Sequence, residues 1–223
     1  MTDAMRLAGA AGAPRRVVRV KICGITRVED GLAAEAAGAD AVGLNFFRRS
    51  PRVIDLARAR EISDALGPFI HRVGIFVSAD EDQIRETIAA ARLTTVQLHG
   101  DVDERVVRRL RQGGDGGAGV LVLRALSFGP GVEPGRFEGK PFDGILLDSR
   151  MPGSGEAFAW EAAPVWRDHP RLVLAGGLRP SNVGEAVRAL RPYAVDVATG
   201  VESSPGVKDA AMIQAFVRAA RTA

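Results

Sequence analysis

Apolar and polar positions follow two rhythms along this chain, and the rhythms take turns. Around residues 18–23, Val18, Val20 and Ile22 interleave with Arg19, Lys21 and Cys23. A period of two marks a strand and puts Lys21 and Cys23 on one face. Residues 28–37 then take the wider spacing of a helix, ended by Gly38. The exchange recurs down the chain. Further strands are expected at 40–46, 71–77, 94–99, 120–125, 142–148, 172–175 and 194–198. Helices are expected near 55–66, 80–92, 101–111, 160–167, 180–190 and 208–220. The Gly- and Pro-rich stretch 127–141 predicts a short or degenerate fifth helix, and 113–119 a flexible Gly-rich loop. Thr26 and Glu29 have the T-x-x-E spacing of a capping box, placed to open the first helix.

Eight strands alternating with seven clear helices and one doubtful one imply parallel pairing with right-handed crossovers. The fold class is therefore α/β: a single-domain (β/α)8 TIM barrel of parallel strands spanning residues 17–223. A doubly wound open sheet is the competitor. It normally carries G-x-G-x-x-G after its first strand, where this chain has Cys23-Gly24-Ile25-Thr26-Arg27-Val28. Residues 1–16 lack periodicity and read as a disordered N-terminal extension. They lack the apolar core of a secretory signal, and Asp3 and their shortness argue against an organelle presequence.

Composition narrows the partners. With 46% hydrophobic residues among 223, the chain can bury a substantial core. A formal charge of +3, with bases and acids interleaved, suits a small anionic substrate and gives no reason to expect nucleic acid. No apolar run reaches the length of a membrane span. The single cysteine excludes an internal disulfide and points to a reducing, cytoplasmic setting.

In such barrels the chemistry lies at the C-terminal ends of strands and in the loops that follow. Those positions offer Cys23, Asn45, Gln97, His99, Asp148 and Asp196, with Arg48 to Arg52 after the second strand. The loops Ala175-Gly176-Gly177-Leu178 and Thr199-Gly200-Val201 follow strands seven and eight, where a phosphate is commonly held by backbone N–H groups. Asp148 ends an apolar strand, so burial should raise its pKa toward that of a general acid. The plainer alternative is a carboxylate bonded to the next loop. Lys21 should point inward one layer below Cys23 and needs a carboxylate partner, Asp196 or Asp148. Cys23 is either a small buried hydrophobe or a reactive thiol. In the second case the dipole of the first helix and Lys21 are expected to lower its pKa toward neutrality. No cluster has metal-ligand spacing, and there is no Walker loop, so neither metal nor cofactor is expected.

The motifs K-I-C-G-I-T, A-G-A-D-A-V-G with S-P-R after it, V-Q-L-H-G-D, L-L-D-S, G-S-G-x-x-F-x-W, L-A-G-G-L-x-P-x-N-V and V-D-V-A-T-G-V-E-S-S-P-G-V-K-D run in order from 21 to 209. In this the chain resembles the phosphoribosylanthranilate isomerase family of tryptophan biosynthesis. It departs from the family pattern at Asn45, at Pro152-Gly153-Ser154-Gly155 and in the fifth βα unit. The resemblance implies an Amadori rearrangement of an aminoaldose to an aminoketose, without a cofactor, by a monomer or homodimer. It implies Asp148 as the acid that opens the ring and Cys23 as the base that takes the C2 proton. It also implies Arg52 on the anthranilate carboxylate and the backbone around Gly177 and Gly200 on the phosphate. Gly176, Thr199, His99 and Asp196 complete the expected substrate-binding set.

Two other readings compete. The next-step synthase that closes the indole ring would be expected to place a lysine acid at a strand end, but the three lysines are Lys21, Lys140 and Lys208. A binding barrel that had lost catalysis would be expected to lack Cys23 or Asp148.

Overall fold

The computed structural model describes residues 17–113, 119–129, 131–149, 160 and 163–223. Eight parallel strands close into a barrel in chain order: β1 Arg19–Ile22, β2 Ala41–Asn45, β3 His71–Val77, β4 Thr95–His99, β5 Leu121–Ser127, β6 Gly144–Asp148, β7 Leu172–Leu174 and β8 Ala194–Val197. Pairing of β1 with β8 completes the ring, with Lys21 opposite Asp196. The Cys23 N–H donates to the Val197 carbonyl at 2.8 Å, so the cysteine continues that ladder beyond the last strand residue.

Among the described residues six α-helices surround the barrel: α1 Val28–Ala36, α2 Leu56–Ala65, α3 Glu81–Ala91, α4 Glu104–Gln112, α5 Val183–Leu190 and α6 Ala210–Arg221. The fifth unit has only a 3₁₀ turn, Pro134–Phe137, as its Gly/Pro content predicts. The sixth was expected to hold a short helix and, among the described residues, has the 3₁₀ turn Pro164–Trp166. Trp166 is fully buried there, and its indole N–H donates to the Val132 carbonyl at 3.0 Å. One large side chain thus ties the two units together. The expected loop 113–119, the loop from Met151 to Gly155 and the extension 1–16 fall largely or wholly outside the described residues.

Helix ends follow local chemistry. Asp55, Asp80 and Asp209 cap α2, α3 and α6, each accepting a backbone N–H of the first turn. The capping box at α1 does not form. Its N-cap is Arg27, which makes no side-chain capping bond, and the Thr26 hydroxyl donates instead to the Gly206 carbonyl. The hydroxyl is thus engaged as a donor to a distant carbonyl and does not accept the local N–H that a capping box supplies.

The barrel interior is divided. Ala125, Leu146, Val173, Ala175 and Ala194 form a compact apolar cluster on the β5–β8 side. Lys21, Thr95, Gln97 and Asp196 are buried polar residues among the strands. A polar wall of this kind costs desolvation energy unless each group finds a partner, so it is a place to look for function.

Candidate active site

All nine residues singled out from the sequence line one recess of about 520 Å³ at the C-terminal mouth of the barrel: Cys23, Arg52, His99, Asp148, Gly176, Gly177, Asp196, Thr199 and Gly200. Their strands explain the convergence, because parallel strands in a closed ring all end at the same rim. Asn45, Gln97 and Arg179 line it too.

Below Cys23, the Lys21 ammonium meets Asp196 at 2.9 Å, with both side chains buried. Asp196, rather than Asp148, is therefore the partner of the inward lysine. Burial opposes the Lys21 charge, but the adjacent carboxylate more than offsets it and the pKa is raised. That leaves Lys21 a fixed cation under the sulfur.

The expected low pKa of Cys23 is not found. Burial pushes the thiol up, Asp196 adds to the rise, and Lys21 and Lys208 only partly oppose it. The error lay in weighing charge without solvent: transferring a thiolate out of water outweighs two nearby ammonium groups. Asp148 moves in the expected direction. Burial raises it to about 6, against the pull of the Ser149 N–H, which donates to its Oδ1 at 2.7 Å. Both alternatives for Asp148 thus hold at once, a loop-bonded carboxylate that is also shifted toward acid work.

His99 is held neutral. Burial lowers it to about 4, helped by Lys21 and Arg124, and its Nε2 lies 2.9 Å from the Gln97 amide nitrogen. It can polarise or accept in this state and carries no charge to an anion.

Arg52 arrives in an unexpected state. Its Nε and Nη2 each meet the Glu202 carboxylate at 2.7 Å, and Nη2 also reaches the Thr199 hydroxyl at 3.1 Å. The role that the resemblance implies for Arg52, on the anthranilate carboxylate, meets a constraint: its bidentate edge is already taken by Glu202. Only Nη1 remains without a protein partner among the described residues. The side chain reaches this position across Gly24, where an added Cβ would lie 2.3 Å from Arg52 Cδ. Gly24 also has φ of +72°, so position 24 needs a glycine for both reasons.

The two glycine loops after β7 and β8 pack on one another. A Cβ at Gly200 would come within 1.9 Å of the Leu178 carbonyl oxygen. Asn182 braces the first of them, accepting the Arg179 N–H at 2.8 Å and donating to the Gly177 carbonyl at 3.0 Å. Asn182 and Glu202 are not among the residues the sequence marks out, and Lys208 enters there only as one of three lysines. The available signal was polarity just past a strand end, with Asn182 at the start of a helix and Glu202 and Lys208 flanking Pro205-Gly206.

The chain is similar to known proteins over nearly its whole length. The family profile described as N-(5'-phosphoribosyl)anthranilate (PRA) isomerase matches residues 20–219. The N-(5'-phosphoribosyl)anthranilate isomerase of Pseudomonas aeruginosa strain UCBPP-PA14 is 49% identical over 211 residues, covering 92% of this chain and 96% of its own. The phosphoribosyl anthranilate isomerase of Thermotoga maritima superposes with a TM-score of 0.83 at 40% identity, covering 92% of this chain and 100% of its own. A further structure describes that enzyme as dimeric. A phosphoribosyl anthranilate isomerase solved with reduced 1-(o-carboxyphenylamino)-1-deoxyribulose 5-phosphate superposes at 0.80, with 39% identity and coverage of 92% and 100%.

Proposed function

The chain belongs to the N-(5'-phosphoribosyl)anthranilate isomerase family, and on that premise we propose which of its groups perform each step. The protein is an isomerase of tryptophan biosynthesis. It converts N-(5-phosphoribosyl)anthranilate, an aminoaldose, into 1-(2-carboxyphenylamino)-1-deoxyribulose 5-phosphate, an aminoketose. The reaction is an internal redox exchange: C1 is reduced as C2 is oxidised, and no electrons enter or leave.

Asp148 donates its proton to the furanose ring oxygen. The C1–O bond breaks, and the anilino nitrogen lone pair forms the C1=N bond of a Schiff base. Cys23, as thiolate, removes the proton from C2, and that electron pair flows through C1 to nitrogen to give an enolamine. Protonation at C1 and loss of the enol proton leave the C2 ketone. The observation that carries this reading is the placement of Cys23 and Asp148, at the ends of β1 and β6, on the walls of one recess. General acid and base positions on separate walls suit a reaction that must protonate one side of a sugar while deprotonating the other.

The working form holds its proton on Asp148 and not on Cys23. Without substrate the order is reversed, since the thiol is raised and the carboxyl sits at about 6. The active form is thus the less populated of the two singly protonated forms.

Gly177, Gly200 and their neighbours supply backbone donors for the phosphate, and Arg52 turns its free Nη1 to the anthranilate carboxylate. Thr199, Gly176, His99 and Asp196 line the sugar. The enzyme acts on a small molecule, as a monomer or homodimer, in the cytoplasm. Among the described residues no helix is long and apolar enough to cross a membrane. The test is loss of phosphoribosylanthranilate fluorescence on adding purified protein. Turnover is expected, with the aminoketose as sole product; no decay above the uncatalysed rate would refute the assignment.

A further inference from the structure

The segment between β8 and α6 carries an element that patterning did not reveal. It is a small antiparallel hairpin, β9 Glu202–Ser204 and β10 Val207–Lys208, turning at Gly206. It touches three loops of the catalytic face. Its Gly206 carbonyl accepts from Thr26 in the loop after β1. Its Glu202 holds Arg52 in the loop after β2, and Arg52 in turn holds Thr199 in the loop after β8. Its Lys208 N–H donates to Asp30 of α1 at 3.1 Å.

Glu202 is a node. Besides both arms of Arg52 it accepts from the Lys208 ammonium at 2.8 Å and the Gly206 N–H at 3.3 Å, and its side chain is 3% exposed. The Lys208 side chain is fully buried and makes a second bond to the Ala198 carbonyl. Two buried cations thus share one carboxylate.

The charges around the Cys23 sulfur can be counted by element. Lys21 comes from its own chain segment in β1, and Asp196 from β8. Arg52 comes from the loop after β2, and Glu202 and Lys208 from β9 and β10. Asp148 on β6 and neutral His99 on β4 line the remaining walls. Lys21 and Asp196 cancel, and Arg52 and Lys208 against Glu202 leave one positive charge, which an ionised Asp148 balances and which stands in surplus when Asp148 holds its proton, as in the working form. A charge of that sign, held away from water, favours a thiolate and attracts a carboxylate.

We propose that Glu202 and Lys208 are positioning residues of the isomerase site. Glu202 fixes the orientation of Arg52 toward substrate, and Lys208 supplies the surplus positive charge beside Cys23. This rests on the assignment of Cys23 as base and Arg52 as carboxylate anchor. Glu202 still remains below the usual carboxylate range, since burial alone would raise it but the bonds from Arg52 and Lys208 prevail.

Two variants move one readout in opposite directions. The readout is the pH midpoint for alkylation of Cys23, the only cysteine, by iodoacetamide in the native protein. Glu202→Gln removes a negative charge, so the midpoint falls. KM should rise about ten- to a hundredfold, the scale of a lost charge-assisted bond, with a smaller change in kcat. Lys208→Met removes a positive charge, so the midpoint rises, and KM changes less than in Glu202→Gln. Should Glu202→Gln fail to fold, Glu202→Asp keeps the charge and shortens the reach; it should raise KM and leave the midpoint in place. Midpoints that stay at the wild-type value, or shift the same way in both charge variants, overturn the proposal, as does unchanged KM in the Glu202 variants. Alkylation needs no turnover. Opposite midpoint shifts in a protein that isomerises nothing would support the charge arrangement and refute the enzymatic reading separately.

Discussion

Asp148 is where stability and catalysis oppose each other. Burial raises its folded pKa to about 6, above its ordinary 3.8. A carboxyl with a higher pKa folded than unfolded takes up protons on folding in that window, so stability falls as pH rises from 3.8 toward 6. Above it the full penalty of an ionised, half-buried group remains. Asp148→Asn should therefore raise Tm at pH 7.5, and the gain should vanish in scans run below the ordinary carboxylate range. In the same variant kcat should fall by about 10²–10⁴, the usual contribution of a positioned general acid. Binding of the phosphate-bearing product analogue should stay within about threefold, because the phosphate loops are untouched. A variant that is less stable at pH 7.5, or that keeps a tenth of wild-type kcat (roughly), would contradict this.

At the scale of elements, most of the alternation was legible because its physics is local. Parallel strands and amphipathic helices each impress a period on their own residues, so β3 was placed at both ends from its pattern alone. What escaped was non-local. Thr26 has the right spacing to cap α1 but donates to a residue 180 positions away. The hairpin of β9 and β10 is too short to establish a period. The ion pair between Arg52 and Glu202 spans 150 positions, which no window detects. The recess residues were legible because strand ends are, and the charge state of Cys23 was not, because it depends on burial by the whole barrel.

A shorter-range device closes α2. Arg72 on β3 is 8% exposed and donates to the carbonyls of Ser63, Leu66 and Ile70. Among the described residues no carboxylate is bonded to it, and the carbonyl end of the helix and its exit loop serve as the counter-charge. Arg72→Met should lower unfolding free energy by about 2–4 kcal/mol, the cost of several buried carbonyls left unpaired. Arg72 does not line the recess, so kcat/KM measured well below Tm should stay within about twofold of wild type. Chemical denaturation and steady-state turnover on the same preparation check both halves.

At the scale of the molecule, the closed ring puts acid and base under one set of charges, and their titrations belong to the pair. The competent form carries a single proton, so kcat/KM should be bell-shaped with a broad plateau. It should fall below about 6, where both groups are protonated and no base remains. It should fall again only above the ordinary thiol value, where Asp148 has no proton to give. Asp148→Asn should remove the alkaline limb and replace the plateau with a residual rate that rises with pH up to the thiol's own titration, because thiolate is then the only ionisation required. A profile that keeps rising below pH 6 would contradict the coupling.

The most direct measurement is kcat for Cys23→Ala, with binding of reduced 1-(o-carboxyphenylamino)-1-deoxyribulose 5-phosphate measured on the same protein. Removing the thiol takes away the base and leaves Arg52, the glycine loops and the Lys21–Asp196 pair in place. The expected result is a loss of about 10² or more in kcat with the dissociation constant of the analogue within about threefold of wild type. A Cys23→Ala protein that isomerises phosphoribosylanthranilate near the wild-type rate would show that Cys23 is not the group that takes the C2 proton.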